Sequence, residues 1–521
     1  MVSGARHPEP GPLVVTPVPG RDGLAAAERQ ASVLTWSAGL AIGLALLIMI
    51  AVPALGHSAA VAVLPRPAAG PPWSLALRLP PGKVIIALWG AAVLGCAGVI
   101  TGLAAIARGA RLPSRLLVAG AIAAVAALTV LPPAGSTDVV SYAIDGRIVV
   151  TGHSPYVTTP GQLRRTGDPV ARFAPPAWVH ELSIYGPLAT AEEWAAAELG
   201  GTSVARIAFW LKLWNALAFG AVVLALDRLL RSRPAMRARA HLLWSVNPLL
   251  LWAVIAGGHI DGQAAALGFG GVVMLRVRPA GAVGDGAPVS PGRAFAAGLL
   301  AGAATACKAP FVLFGAGIVW ACRRSPAALA GSLCGFFAVL LPGYAIAGWP
   351  AVKALTARTQ GVTMDNFYQL LYPPFRSATA TSAPAGLVPA AAGLVVCLAV
   401  VALWRLPHPT EFTDLPAVRP ALALSLAWLF AWPFQRPWYD VMIVCLLVLY
   451  PASKFDGVVT ARLLAGTTVF ILASDQNLGP HWLSVLFSAN SRYLAPAVLL
   501  AAVAALTGLS LRGPWRRRLR T

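Results

Sequence analysis

The sequence predicts an all-α polytopic membrane protein, a bundle of about 12–14 transmembrane helices with amphipathic helices in its first large outer loop. Three observations predict it. Of 521 residues, 57% are hydrophobic and 11% charged, and the mean hydropathy is +0.70. A water-soluble chain of this length carries roughly twice that share of charge. Apolar runs approaching the ~20 residues that cross a bilayer recur from one end to the other. With both termini taken as cytoplasmic, Arg collects in alternate connections: Arg108, Arg111 and Arg115; Arg228, Arg231, Arg233, Arg237 and Arg239; Arg323 and Arg324. That is the positive-inside pattern, and it accounts for a net charge of +21 without nucleic acid.

The elements follow in order. Residues 1–33, rich in Pro, Gly and Arg, read as a disordered cytoplasmic segment. Spans near 34–56, 84–107 and 115–133 form three N-terminal helices, the first two joined by a Pro-rich outer loop with Pro65, Pro67, Pro71, Pro72, Pro80 and Pro81. The longest polar stretch, 134–204, is the first large outer loop. Within it 188–199, carrying Glu192, Glu193 and Glu198, reads as an amphipathic helix lying on the membrane. Further spans read at 205–227, 240–256, 259–275, 294–307, 309–321, 328–348, 385–404, 420–434, 439–452, 459–474 and 493–511, with outer loops at 349–384 and 475–492 and a basic cytoplasmic tail at 512–521. The six cysteines lie in or beside apolar segments and none forms a CxxC pair, so neither a disulfide framework nor a zinc site is indicated.

Carboxylates gather on the outer side, flanked by aromatics and arginines. Such groups suit proton transfer, or gripping a polar substrate brought by lipid, better than they suit a core. If 138–145 is helical, Asp138, Tyr142 and Asp145 share a face, because spacings of four and seven return to one side. The plainer reading makes Asp138 a helix cap, and Asp145, beside Gly146-Arg147, a structural or positioning group. Gly257-Gly258-His259-Ile260-Asp261-Gly262 sits at an outer hairpin, where His259 and Asp261 place an imidazole and a carboxylate near a sugar or phosphate. An H-x-D pair lacks the further ligands a metal needs. Lys308, in Cys307-Lys308-Ala309-Pro310, and Arg436, in Phe434-Gln435-Arg436-Pro437-Trp438-Tyr439, are cations at membrane depth that call for an anionic partner or ligand, or else snorkel to the interface. Trp438 and Tyr439 alone read as ordinary interface anchors. Lys212, inside a span, faces inward with no partner evident in the sequence.

Together these residues carry a resemblance. Asp138, Ser141 and Tyr142, then Gly152-His153-Ser154-Pro155-Tyr156, Tyr185-Gly186-Pro187, Asn247-Pro248-Leu249, Gly258-His259-Ile260-Asp261, Lys308-Ala309-Pro310 and Pro437-Trp438-Tyr439 resemble actinobacterial polyprenol-phosphate-mannose-dependent α-1,6-mannosyltransferases. These are GT-C glycosyltransferases of the kind that elongates lipomannan cores. The likeness spans about 115–510 and departs at Ile260, where the related hairpin often reads His-Asn-Asp. The resemblance implies a GT-C-like bundle and a polyprenyl-phosphate mannose donor. It also implies a glycolipid or mannan acceptor, an extracytoplasmic site in the cell membrane, and an acidic base in the first outer loop, which falls on Asp138. On that reading Lys308, Arg436 and His259 meet the donor phosphate, while Tyr142, Asp145, Tyr156, Tyr185, Asp261, Trp438 and Tyr439 orient sugar and acceptor. No cofactor or obligatory metal is expected, since a lipid monophosphate leaving group can be neutralised by side-chain cations. A transferase for another polyprenyl-phosphate sugar (arabinose or glucose) shares these features, and a lipid or sugar transporter remains open.

Overall fold

The computed structural model describes residues 21–65, 67, 69–75, 77–276, 289–357, 361–363, 365–371, 381–382, 386–406, 414–473 and 480–512. It is helical nearly throughout, an all-α polytopic membrane architecture. The helices are α1 (Arg21–Leu55), α2 (Pro81–Ala107), α3 (Ser114–Val130), α4 (Asp138–Val150), α5 (Pro160–Arg165), α6 (Pro187–Gly200), α7 (Val204–Leu229), α8 (Pro234–Ala240), α9 (Pro248–Leu251), α10 (Asp261–Met274) and α11 (Pro291–Cys307). They continue as α12 (Val312–Cys322), α13 (Pro326–Ala347), α14 (Trp349–Ala357), α15 (Tyr368–Leu371), α16 (Leu387–Arg405), α17 (Val418–Ala431), α18 (Val441–Leu447), α19 (Phe455–Val469), α20 (His481–Ala489) and α21 (Ala495–Arg512). Two short strand pairs tie down connections between helices, Gly56–His57 with Leu77–Arg78 and Gly361–Val362 with Thr381–Ser382.

Local chemistry sets many boundaries. Ser203, Ser290 and Ser325 each accept from the backbone N–H three residues on, and a proline opens α11 and α13 directly after the cap. Among the described residues six helices are long and apolar enough to cross a membrane, at 28–55, 81–107, 204–229, 234–256, 326–347 and 481–505, with shorter apolar helices between them. Some boundaries differ from the sequence reading. Helix α1 starts at Arg21 rather than near 34, and residues 1–20 lie outside the described residues, as does the tail beyond Arg512. The expected outer loop 475–492 contains α20, which runs through a π-turn at Asn490–Leu494 into α21. His259 sits in a turn ahead of α10, and the polar stretch after Ser136 folds as α4 from Asp138 onward.

Two buried clusters position the site. The larger fills the centre of the bundle with α2, α7, α10, α11, α17 and α18. The second joins α4, α6 and α7, and Val139, Val140, Tyr142 and Ile260 lie in it. Ile260 is therefore a core side chain of the hairpin. Helices α4 and α6 meet closely, because Gly146 of α4 lies against the Glu193 carbonyl of α6, where a Cβ has no room. Lys212 of α7, fully buried, donates to the carbonyls of Leu128 at 2.5 Å and Leu131 at 2.7 Å. It satisfies carbonyls that α3 leaves without intrahelical donors, and so fixes the chain just before Asp138. Gly258 takes a left-handed turn (φ +67°) beside Lys212 and Val139, which brings His259 against α4.

Candidate active site

Asp138 opens α4 and lines a cleft of about 600 Å3 with Ser141, Tyr142, Asp145, Trp178, Glu181, Tyr185, Phe434, Arg436, Trp438 and Tyr439. The Ser136 hydroxyl accepts from the Asp138 backbone N–H at 3.0 Å, so the residue before the helix aims its first turn. Both carboxylate oxygens have neighbours. The Trp178 indole N–H donates to Oδ1 at 3.1 Å, and His259 Nδ1 lies 3.6 Å from Oδ2. Burial pushes the Asp138 carboxyl above the usual carboxylate range. The charges of Arg436 and Lys308, and hydrogen bonds from Ser136 and Trp178, oppose that rise.

His259 is held from three sides. Its ring stacks on Trp438 at 3.7 Å between centroids, with planes 12° apart, and Tyr142 Oη approaches Nδ1 at 3.5 Å. Tyr185 in turn donates to Tyr142 at 3.1 Å, and their rings meet edge to face. His259 is 1% exposed and stands behind Asp138 rather than in the cleft.

A second cleft, of about 830 Å3, is lined by Ile184, Tyr185, Lys308, Ala309, Pro310, Ala354, Leu355, Trp428, Trp432, Phe434 and Tyr439. Ile184, Tyr185, Phe434 and Tyr439 belong to both, so the two clefts share one wall. Lys308 follows α11 in extended conformation, which turns its side chain back into the bundle. Its ammonium meets both Asp261 oxygens at 2.9 and 2.8 Å and sits 4.1 Å from the centre of the Tyr439 ring. Arg436 lies over Phe470 at 4.2 Å and near Phe434 and Trp438 at 5.3 and 5.9 Å. Aromatic faces hold a guanidinium without neutralising it.

The residues singled out from the sequence thus converge, with a division among them. Asp138, Tyr142, Asp145, Tyr185, Arg436, Trp438 and Tyr439 line the first cleft, and Lys308 the second. Asp261 is the fully buried counter-ion of Lys308. Tyr156 lines neither cleft: its hydroxyl donates to the Tyr185 carbonyl at 3.0 Å and meets Thr190 at 2.8 Å, bracing the shared wall from behind. Asp145 faces Glu193 across the α4–α6 contact, and burial raises both carboxyls. Sequence reasoning missed Trp178 and Glu181 of the first cleft and Trp428 and Trp432 of the second, and of these Trp178 is the one bonded to Asp138. Its only signal was a tryptophan closing the apolar run Ala174-Pro175-Pro176-Ala177-Trp178 inside the polar stretch 134–204.

A family model described as the alpha-(1->6)-mannopyranosyltransferase N-terminal domain matches residues 40–324. No curated protein and no solved structure matches the chain.

Proposed function

The chain belongs to the alpha-(1->6)-mannopyranosyltransferase family, and from that premise we propose that it moves mannose from a polyprenyl-phosphate donor to a glycolipid or mannan acceptor at the extracytoplasmic membrane face. Asp138 takes the proton of the acceptor hydroxyl while that oxygen attacks the anomeric carbon. The bond from that carbon to the phosphate oxygen breaks, and its electrons leave with the lipid phosphate. Arg436 and Lys308 neutralise the charge that develops there. One displacement of this kind needs one base and no covalent nucleophile, and inverts the anomeric centre.

The observation that carries this reading is the pair of clefts meeting at Tyr185 and Tyr439, with the carboxylate of Asp138 in one and the ammonium of Lys308 in the other. The second cleft combines indoles, alanines and a leucine with that one cation, chemistry suited to an isoprenoid chain ending in phosphate. The first combines carboxylates, phenols and indoles, which suit sugar hydroxyls and ring faces. Tyr142, Trp438 and Tyr439 order the junction. His259 supports Asp138 from behind, and Asp261 steadies Lys308.

The test is transfer of labelled mannose from polyprenyl-phosphate mannose to a mannolipid acceptor by the enzyme reconstituted in vesicles. D138N is expected to lose transfer by about 100-fold or more while keeping the melting midpoint of the parent. Full turnover by D138N would remove Asp138 as base. Equal turnover with a different polyprenyl-phosphate sugar would overturn the donor.

A further inference from the structure

Trp178 lies on the connection between Ala171–Phe173 and α6, which lines the first cleft with Trp178 and with residues 181–185. This connection is irregular in conformation but braced along its length. The Gly161 N–H donates to the Val179 carbonyl at 2.7 Å, the Ser183 N–H to the Pro155 carbonyl at 3.0 Å, and the Gly186 N–H to the Cys307 carbonyl at 3.0 Å. A turn from Pro175 to Trp178 and another from Trp178 to Glu181 flank the residue itself, at 2.9 and 3.0 Å. The indole is therefore delivered from a fixed backbone.

An indole N–H can only donate, so its partner must offer a lone pair. Here the partner is Oδ1 of Asp138, while Oδ2 faces His259 from a different element. Two neighbours fixed on separate parts of the fold remove rotation of the carboxylate about its last bond. The pairing is not a general need to satisfy indoles in this protein: Trp244 and Trp252, both deeply buried, have Nε1 atoms without a hydrogen-bond partner.

We propose that Trp178 is a positioning residue for transfer: its indole N–H locks the Asp138 carboxylate in the orientation in which it meets the acceptor hydroxyl, and the rest of the ring walls the acceptor side of the cleft. This rests on Asp138 being the base. The other groups that face Asp138 are Arg436, Lys308 and Asp261, the phenols of Tyr142, Tyr185 and Tyr439, and the His259 imidazole. Substitution at Trp178 leaves all of them in place.

The experiment compares W178F, which keeps a ring and loses the donor, with W178Q, which keeps a donor of similar reach and loses the ring. Both are measured in the reconstituted transfer reaction across pH, beside the parent and D138N. W178F is expected to lower kcat about tenfold or more. It should also move the acid limb of kcat/KM up by about half a pH unit or more, because losing a bond to the ionised form raises the pKa of the base. W178Q should return the acid limb toward the parent while raising the acceptor KM. Equal losses in both variants with an unmoved limb would mean packing alone and overturn the assignment, as would parental kcat in W178F. Should W178F fail to insert, W178L, which likewise lacks the donor, takes its place and decides on the position of the limb; should W178Q fail, W178F decides alone. Absence of transfer by the parent, or full activity in D138N, overturns the reading of Asp138 and this assignment with it. Loss in D138N with parental behaviour in W178F overturns this assignment alone.

Discussion

At the residue scale, chemistry concentrates on a few side chains whose partners lie far away in sequence. As the proposed base, Asp138 must be ionised to accept a proton, so kcat/KM should fall as pH drops through its raised pKa. Because the Arg436 charge lowers that pKa, R436M should shift the acid limb to higher pH. A limb that stays put or moves down would separate Arg436 from the base. K308M is expected to raise the donor KM about tenfold or more, with a smaller change in acceptor KM, since a charge-assisted contact to an anion is worth about 1.5–3 kcal/mol. Titrating donor and acceptor separately checks the split. Sequence reading nominated both cations because a charge at membrane depth is costly without an anion. It could not show that Lys308 already holds Asp261, whereas Arg436 is held by aromatic faces.

At the element scale, the site depends on how α4 and α6 seat on the bundle. Gly146 brings α4 against the α6 backbone at Glu193, where the neighbour is a carbonyl that cannot rotate away. G146A should destabilise by about 1–3 kcal/mol, as overpacking at a rigid contact does. A lowered melting midpoint in detergent checks it, and an unchanged midpoint would place the closeness elsewhere. Lys212 has a comparable role. K212M strands the Leu128 and Leu131 carbonyls without their donor, each worth about 1–3 kcal/mol when buried. It should reduce both stability and transfer although it touches no substrate. A helix near 188–199 was legible in the sequence, and α6 spans Pro187–Gly200, but its faces are not those of an amphipathic helix: Glu193 is buried against α4 while Trp194 and Leu199 are exposed. The purpose of Lys212 was not legible, because its partners are backbone carbonyls, and a carbonyl leaves no mark in a sequence.

At the scale of the whole molecule, two halves build one site. The family match covers residues 40–324, which supply Asp138, Trp178, His259, Asp261 and Lys308. Arg436, Trp438 and Tyr439 come from the remainder, and Trp438 closes against His259 by stacking. The orientation of the bundle carries its own prediction. In a chain with its six cysteines replaced, a cysteine at the exposed position R165C should react with an impermeant maleimide in intact cells. A cysteine at R231C should react only after permeabilisation. The reverse pattern would turn the site to the cytoplasm.

The sequence by itself determined the class of molecule and the short roll of polar side chains from which a site had to be made. Those follow from period, length and composition, which are local and additive. Only the tertiary structure decided which of those side chains share a cavity, which stand behind it as supports, and that Trp178 joins them. Contacts between residues 40 to 220 positions apart, such as Trp178 with Asp138, Lys308 with Asp261 and Arg239 with Asp456, arise from packing of whole helices, and no local pattern encodes them.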